Sequence, residues 1–122
     1  PVVWDDHIFL TATLSDADNV ARAVLARGPR VVILTLGAQG ALVGTLDHMV
    51  HSPAFPVTVV DTTAAGDAFN GALAVALAEG YPLAEAVRFA NAAAGLACTQ
   101  RGAQNSLPVR TQVDAFLADT KA

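Results

Sequence analysis

The apolar residues of this chain fall into short continuous runs and into longer stretches with helical spacing. Residues 31–36 are β-branched or aliphatic throughout, which predicts a strand buried on both faces. Residues 41–46 and 48–51 predict a hairpin that ends in an edge strand. Residues 57–60 predict a further strand that leads into a loop. The first ten residues fit no clear period, so either a short strand or an adapted terminus is expected there.

Helices are predicted where apolar residues recur three or four positions apart. The first begins with a capping-like pattern at Ser15 and ends near Arg27, before a Gly-Pro pair. Three more are predicted over residues 66–79, over residues 83–99 and after Pro108. The order helix, strand, hairpin, strand and three helices predicts an α/β sandwich. We expect residues 1–122 to form one partial domain of that class.

Residues 61–72, DTTAAGDAFNGA, carry the strongest chemical signal. Ala64, Ala65 and Gly66 have almost no side chain, so a bulky anion can approach their backbone N–H groups closely. A helix start leaves these donors unpaired and carries about half a positive charge, which predicts a phosphate site. A carboxylate here, Asp67, is explained if it accepts the proton of a hydroxyl that attacks the phosphate. The structural alternative is an acid that satisfies backbone donors at the helix start and favours the helix dipole.

The same segment resembles the second signature of the ribokinase-type sugar kinases, also called the phosphofructokinase B family. TLGAQG at residues 35–40 resembles the nucleotide-side turn of that family, and RGAQNSLP at residues 101–108 resembles a C-terminal loop of its ribokinases. With AVRFANAAAGLA at residues 86–97, the resemblance covers about residues 30–118. It implies the C-terminal portion of a ribokinase-like α/β sandwich with a mostly parallel sheet.

The resemblance implies an ATP-dependent phosphorylation of a sugar, with D-ribose to ribose 5-phosphate as the preferred reaction. Asp67 matches the catalytic base of the family, and the N–H groups of Ala64, Ala65 and Gly66 match the anion hole for the γ-phosphoryl group. The expected cofactors are ATP, Mg²⁺ and a monovalent cation, K⁺. The choice of ribose rests on RGAQNSLP, since fructose-type and nucleoside kinases use the same signature loop.

The resemblance also implies two sets of binding residues. The nucleotide set is Thr35, Leu36, Gly37, Ala38, Gln39, Gly40, Gly66 and Asn91. The cation set is Asp61, Thr63, Ala97, Gln100, Gly102 and Ser106, with several contacts through backbone carbonyls. Structural alternatives stay open for both sets. The glycines can serve a plain turn, Asn91 can be a buried structural amide, and Asp61 can cap the loop.

Net charge and residue composition limit the classes of partner that the chain is expected to bind. The net charge is −4 and the seven Lys and Arg residues are scattered, which indicates neither a nucleic-acid face nor an anionic membrane partner. The single cysteine, Cys98, suits a reducing compartment, and no leader or membrane span is indicated, so a cytoplasmic protein is expected. His7, His48 and His51 lack metal-ligand spacing and are interpreted as surface or strand residues.

The chain is short of polar surface. Apolar residues make up 53% of it and charged residues 15%, where about 25% is usual. In the family that it resembles, an amino-terminal half supplies the sugar pocket and an Asn-x-x-Glu motif, neither of which is found here. We therefore expect it to need that half, or self-association. The functional alternatives are the catalytic part of a sugar kinase and a non-catalytic interaction module with weak nucleotide binding, and the intact DTTAAGD loop favours the first.

Overall fold

The computed structural model describes residues 2–4, 7–11, 14–101 and 108–119. It divides into two compact units, Pro1–Ala54 and Phe55–Ala122. The first unit contains five strands and one helix in the order β1 (Val2–Trp4), β2 (His7–Thr11), α1 (Leu14–Leu25), β3 (Val31–Thr35), β4 (Ala41–Gly44) and β5 (Met49–Ser52). The second contains α2 (Ala65–Ala78), α3 (Leu83–Cys98) and α4 (Arg110–Asp119). This arrangement confirms the α/β class.

The five strands lie in one sheet in chain order. Among the described residues, the β2–β3 pair is parallel and the other three pairs are antiparallel. The expectation of a mostly parallel sheet is therefore wrong for the strands of this chain. The reason lies in the connections, because a short turn reverses the chain, whereas a parallel pair needs a crossover such as the one that α1 provides.

The core of the first unit forms between α1 and one face of the sheet. Ala17, Ala21 and Leu25 pack against a strand-side group that consists of Val32, Leu34, Leu36 and Leu42. Ile33 lies between Val32 and Leu34 in the strand and is also fully buried. Since neighbouring strand residues point to opposite faces, β3 is buried on both sides, as its apolar run predicts.

The second unit is built on close packing of alanine-rich helices. Phe69 and Leu73 of α2 are buried, as are Val87 and Phe89 of α3 and Val113 of α4. Buried alanines fill the remaining positions, and small side chains let α2 and α3 pack closely along their lengths. The predicted helix positions are confirmed to within about two residues. No described helix is long and apolar enough to cross a lipid bilayer.

The predicted strand at residues 57–60 is absent, since this segment has no regular secondary structure. Val59 and Val60 are 58% and 52% exposed, and the N–H groups of Val60 and Asp61 donate to the Cys98 carbonyl at 2.7 and 3.1 Å. A strand requires a neighbouring strand to complete its hydrogen bonds, and no described strand pairs with this segment. An apolar run cannot supply that partner by itself.

Candidate active site

The start of α2 presents backbone donors that the helix does not use. The Ala65 N–H donates to the Thr62 carbonyl at 3.2 Å, and the Ala68 N–H donates to the Ala64 carbonyl at 2.9 Å. Within the described part of the chain, the N–H groups of Ala64, Gly66 and Asp67 have no acceptor. No side chain caps this end of the helix. These donors therefore remain available to a ligand, as a helix start allows.

The surroundings of Gly66 leave room for that ligand. Gly66 and Asp67 are exposed, whereas Ala64 is buried. A Cβ atom built onto Gly66 would meet no atom within 4 Å among its described neighbours. A bulky anion can therefore reach the Gly66 and Asp67 amides more easily than the Ala64 amide.

Asp67 is the third residue of α2, and its carboxylate makes no hydrogen bond to the described residues. It lies at a cleft of about 350 Å³ whose walls come from α2, α3 and the region around the start of α4, and include Ala68, Ala72, Phe89, Ala93, Pro108 and Val113. The structural alternative is met in part, because this carboxylate satisfies no described backbone donor but lies in the first turn of α2, where a negative charge favours the helix dipole. An exposed carboxylate beside unpaired amides can accept a proton from a bound hydroxyl.

Arg110 also borders this cleft, but its guanidinium group is occupied. It contacts the Glu79 carboxylate at 2.8 Å, the Tyr81 hydroxyl at 2.7 Å and the Asp114 carboxylate at 3.3 Å. It also lies 4.9 Å from the centre of the Phe89 ring. The hydrogen bond from Arg110 lowers the pKa of Glu79. These contacts give Arg110 a structural role that joins the three helices.

The loop before α2 lies against the end of α3. The Asp61 carboxylate accepts hydrogen bonds from the Thr63 N–H at 2.9 Å and from the Thr63 hydroxyl. The Cys98 carbonyl receives the N–H groups of Val60 and Asp61, which brings Asp61 close to the helix end. Burial raises the pKa of the Cys98 thiol, and the nearby negative charge of Asp61 raises it further.

This packing brings part of the predicted cation set together. Asp61 and Thr63 lie beside the chain segment that contains Ala97 and Gln100, while Gly102 and Ser106 lie outside the described residues. The same hydrogen bonds agree with the alternative in which Asp61 caps its loop. Among the described residues, no three His, Cys, Asp or Glu side chains form a group that could hold a metal ion. A cation here would depend mainly on carbonyl oxygens.

The predicted nucleotide-side turn is a single 3₁₀ turn, Gly37–Gln39, between β3 and β4. With its flanking residues Leu36 and Gly40, this turn covers residues 36–40. The N–H groups of Leu36, Gln39 and Gly40 already donate to carbonyls within it at 2.7 to 3.1 Å. The amides of Gly37 and Ala38 have no acceptor in the described part of the chain. Any phosphate contact from this turn would therefore involve those two amides.

Gly40 has a clear structural reason to be glycine. Its φ is +92°, a conformation that disfavours other residues, and an added Cβ would lie 2.1 Å from the Ser52 carbonyl oxygen. The backbone nitrogen of Ala54 would lie 2.5 Å away. The turn is thus packed directly against the chain that leaves β5, which supports the structural alternative at this position.

His51 contacts this turn, although its position in the sequence does not indicate the contact. Its Nε2 atom lies 2.5 Å from the Gln39 carbonyl oxygen. His51 comes twelve residues after Gln39, and the sheet brings the two together because β5 pairs with β4. The residues around His51 in the sequence therefore do not predict its contact with Gln39.

Asn91 lies in α3 and is buried. Its side chain has an interaction partner, and no buried side-chain nitrogen or oxygen among the described residues lacks one. Within its own compact unit, Asn91 therefore fits the alternative of a structural amide. Its predicted contact with a nucleotide base stays a prediction.

Comparisons with known proteins agree with the geometry. Residues 5–110 match the profile of the family described as pfkB family carbohydrate kinase. A ribokinase of Bacillus subtilis is 43% identical over 111 residues, which cover 91% of this chain and 36% of that protein. The chain thus spans little more than a third of the length of this relative.

Two solved structures with bound ligands are also similar. An Arabidopsis thaliana ribokinase complexed with ribose and ATP has a TM-score of 0.80 and 34% identity, over 86% of this chain and 34% of its own. An aminoimidazole riboside kinase of Salmonella enterica, complexed with aminoimidazole riboside and an ATP analogue, has a TM-score of 0.76 and 40% identity, over 83% of this chain and 36% of its own.

Proposed function

Because this chain belongs to the pfkB family of carbohydrate kinases, we propose that it is the catalytic and phosphate-binding part of an ATP-dependent sugar kinase. The observation that carries the proposal is at the start of α2. There the exposed Asp67 carboxylate has no hydrogen-bond partner among the described residues and adjoins the unpaired amides of Gly66 and Asp67. Such an arrangement combines a proton acceptor with donors for a developing negative charge.

In the proposed reaction, a sugar hydroxyl attacks the γ-phosphorus of ATP and the bond to the β-phosphate oxygen breaks. Asp67 accepts the hydroxyl proton, and the products are a sugar phosphate and ADP. The Gly66 and Asp67 amides stabilise the charge on the transferring group, with the amides of Ala64 and Ala65 in supporting positions. The Ala65 N–H would share its hydrogen with the Thr62 carbonyl, to which it already donates.

The residues that we propose to bind the nucleotide lie in both compact units. In the first unit, the turn formed by Leu36, Gly37, Ala38, Gln39 and Gly40, which follows Thr35, contributes to nucleotide binding through the two unpaired amides. In the second unit, Gly66 binds phosphate and Asn91 is proposed to meet the base. Mg²⁺, when bound, would neutralise phosphate charge. We expect it to arrive with the nucleotide, because the described residues hold no acidic cluster for it.

A monovalent cation such as K⁺ is proposed at the loop of Asp61 and Thr63. The carbonyls at the end of a helix carry partial negative charge, and the end of α3 lies beside the Asp61 carboxylate. These are the oxygen ligands that a hard cation prefers. Ala97 and Gln100 would contribute backbone carbonyls, as would Gly102 and Ser106 outside the described residues.

D-Ribose is the proposed substrate, with ribose 5-phosphate as the product. The relatives support a ribose-like sugar, since one is a ribokinase and another binds a riboside. Sugar binding would also involve the amino-terminal half that the family resemblance implies. A kinase that depends on ATP is expected in the cytoplasm.

The test is Asp67→Asn in the complete gene product. We expect the turnover of ATP with ribose to fall by about 10²–10⁴-fold, the usual worth of a general base, while ATP binding is retained. Asp119→Asn supplies the matched control, because Asp119 is an exposed carboxylate at the end of α4. Unchanged turnover in Asp67→Asn would overturn the catalytic assignment.

A non-catalytic interaction module with weak nucleotide binding is the second candidate, favoured by the exposed apolar side chains of Leu46, Val59 and Val60. Assays of ATP binding and sugar phosphorylation distinguish the sugar kinase from the non-catalytic module. If the wild type binds ATP but phosphorylates neither ribose nor fructose nor a riboside, the interaction module is supported. If ribose gives the highest kcat/KM of this panel, the ribose assignment is supported as well.

A further inference from the structure

We propose that His51 is a positioning residue that fixes the β3–β4 turn, residues 36–40, in the shape in which it binds nucleotide; this rests on the proposed kinase function. His51 lies on β5, where it pairs in register with Leu42 of β4. Its Nε2 atom lies 2.5 Å from the Gln39 carbonyl oxygen. A carbonyl oxygen only accepts hydrogen bonds, so Nε2 carries the proton and donates it.

The exposed tip of the turn, Gly37 to Gln39, needs such an external contact, because its hydrogen bonds connect it only to other residues of the turn. Leu36 donates to the Gly40 carbonyl, Gln39 to the Leu36 carbonyl and Gly40 to the Gly37 carbonyl. These bonds keep the turn closed, and the burial of Leu36 and Gly40 fixes its base, but neither restrains the exposed tip at Gln39. The Gln39 carbonyl, by contrast, receives its donor from a different strand.

A second contact holds one end of the turn. The Cα of Gly40 approaches the backbone of Ser52, Pro53 and Ala54 so closely that no side chain fits between them. This contact is steric and blocks movement towards β5, but it does not prevent movement away from it. The directional hydrogen bond from His51 supplies the missing restraint at Gln39. The two contacts together attach the turn to β5.

Loss of the His51 donor should therefore weaken nucleotide binding without removing a catalytic group. A turn that is free to move must be ordered when the nucleotide binds, and that ordering reduces affinity. Since the net worth of one exposed hydrogen bond is small, we expect the KM for ATP to rise by about 3- to 10-fold with little change in kcat. A loss that was only structural would lower the amount of active enzyme and leave KM unchanged.

The experiment compares His51→Met with His51→Gln in the complete gene product. The two side chains have similar length and no charge, but the glutamine amide keeps an N–H donor and methionine has none. We expect His51→Met to raise the KM for ATP and His51→Gln to restore it at least in part. His48→Met is the matched control, because the His48 ring makes no hydrogen bond or ion pair with the described residues and only its backbone bonds to Thr45.

Thermal melts verify that the variants fold. If His51→Met does not fold, His51→Val takes its place, because valine suits an edge strand and also lacks a donor. Equal KM values for ATP in the wild type and the donor-free variant, with the wild type active, would overturn the role of His51 alone. The same rise in His48→Met would also overturn it. A wild type that phosphorylates no sugar would instead overturn the proposed function.

Discussion

At the scale of single residues, the environment of Cys98 reports on the loop that contains Asp61. Burial raises the pKa of the thiol, and the negative charge of the Asp61 carboxylate adds to the shift. A thiol with a raised pKa has less thiolate at a given pH, and the thiolate is the reactive form. The reactivity of Cys98 therefore measures whether the Asp61 loop lies against the end of α3.

We predict that Asp61→Asn accelerates alkylation of Cys98 by iodoacetamide at pH 8.5. Removing the carboxylate charge lowers the pKa of the thiol and increases the thiolate fraction, while asparagine still accepts the hydrogen bonds of Thr63. The measurement is the alkylation rate as a function of pH, followed by mass spectrometry. The midpoint of the profile should move to lower pH in Asp61→Asn.

Asp67→Asn is the control for this prediction, because Asp67 does not contribute to the pKa shift of Cys98. Its profile should match that of the wild type, and an unmoved profile in Asp61→Asn would contradict the observed loop position. The direction of the shift also bears on stability. Because the pKa of Cys98 in the folded chain lies above its ordinary value of 9.0, its contribution to the free energy of unfolding is fully present below pH 9.0. That contribution is lost as the pH rises through the pKa of Cys98 in the folded chain.

At the scale of elements, α2 combines good helix-forming residues with two exposed glycines, Gly66 and Gly71. A Cβ added at either one would meet nothing within 4 Å. Glycine is the poorer helix former, by about 0.5–1 kcal/mol relative to alanine in a helix interior. Helix α2 would therefore tolerate alanine at both positions, so helix stability explains neither glycine.

We predict that Gly66→Ala and Gly71→Ala separate stability from activity. Gly71→Ala should raise the free energy of unfolding by about 0.5–1 kcal/mol, and Gly66→Ala should not lower it. Gly66→Ala should reduce kcat/KM far more than Gly71→Ala, because its methyl group would occupy the space through which the phosphoryl group approaches the amides, whereas Gly71 lines the cleft further along α2. Urea unfolding and steady-state kinetics on the same preparations give both quantities. Full activity in Gly66→Ala would contradict the proposed anion site.

At the scale of the whole molecule, the described surface exposes large apolar side chains in both compact units. Leu46 and Val50 are exposed in the first unit, and Val59, Val60, Val75 and Val109 in the second. The strands β1 and β5 lie at the two edges of the sheet, each paired on one side only among the described residues. Exposed edges and apolar residues favour association with another chain.

We predict that this chain by itself self-associates or binds a hydrophobic dye such as anilinonaphthalene sulfonate. Light scattering and dye fluorescence measure the two outcomes. The double variant Val59→Thr/Val60→Thr should bind less dye, since it keeps the β-branched shape and removes two exposed apolar side chains. A monomer that melts cooperatively and binds no dye would contradict the prediction.

The sequence by itself determined the positions of most elements and the unpaired backbone donors at the start of α2. Periodicity records which residues are buried, and burial depends on local geometry, so β3 and the four helices could be located without a structure. Small residues followed by Asp67 predicted free donors at a helix start for the same reason, because the unpaired amides belong to the helix itself. These features involve residues within a few positions of one another.

Only the tertiary structure decided which segments pair. Residues 57–60 have the composition of a strand but no neighbouring strand, and the strand directions follow from connections that periodicity does not describe. The contacts of His51 with Gln39 and of Gly40 with Ser52 join residues twelve positions apart through the pairing of β4 and β5. A hydrogen bond or a close approach between such residues depends on the path of the chain in space, and no local pattern encodes that path.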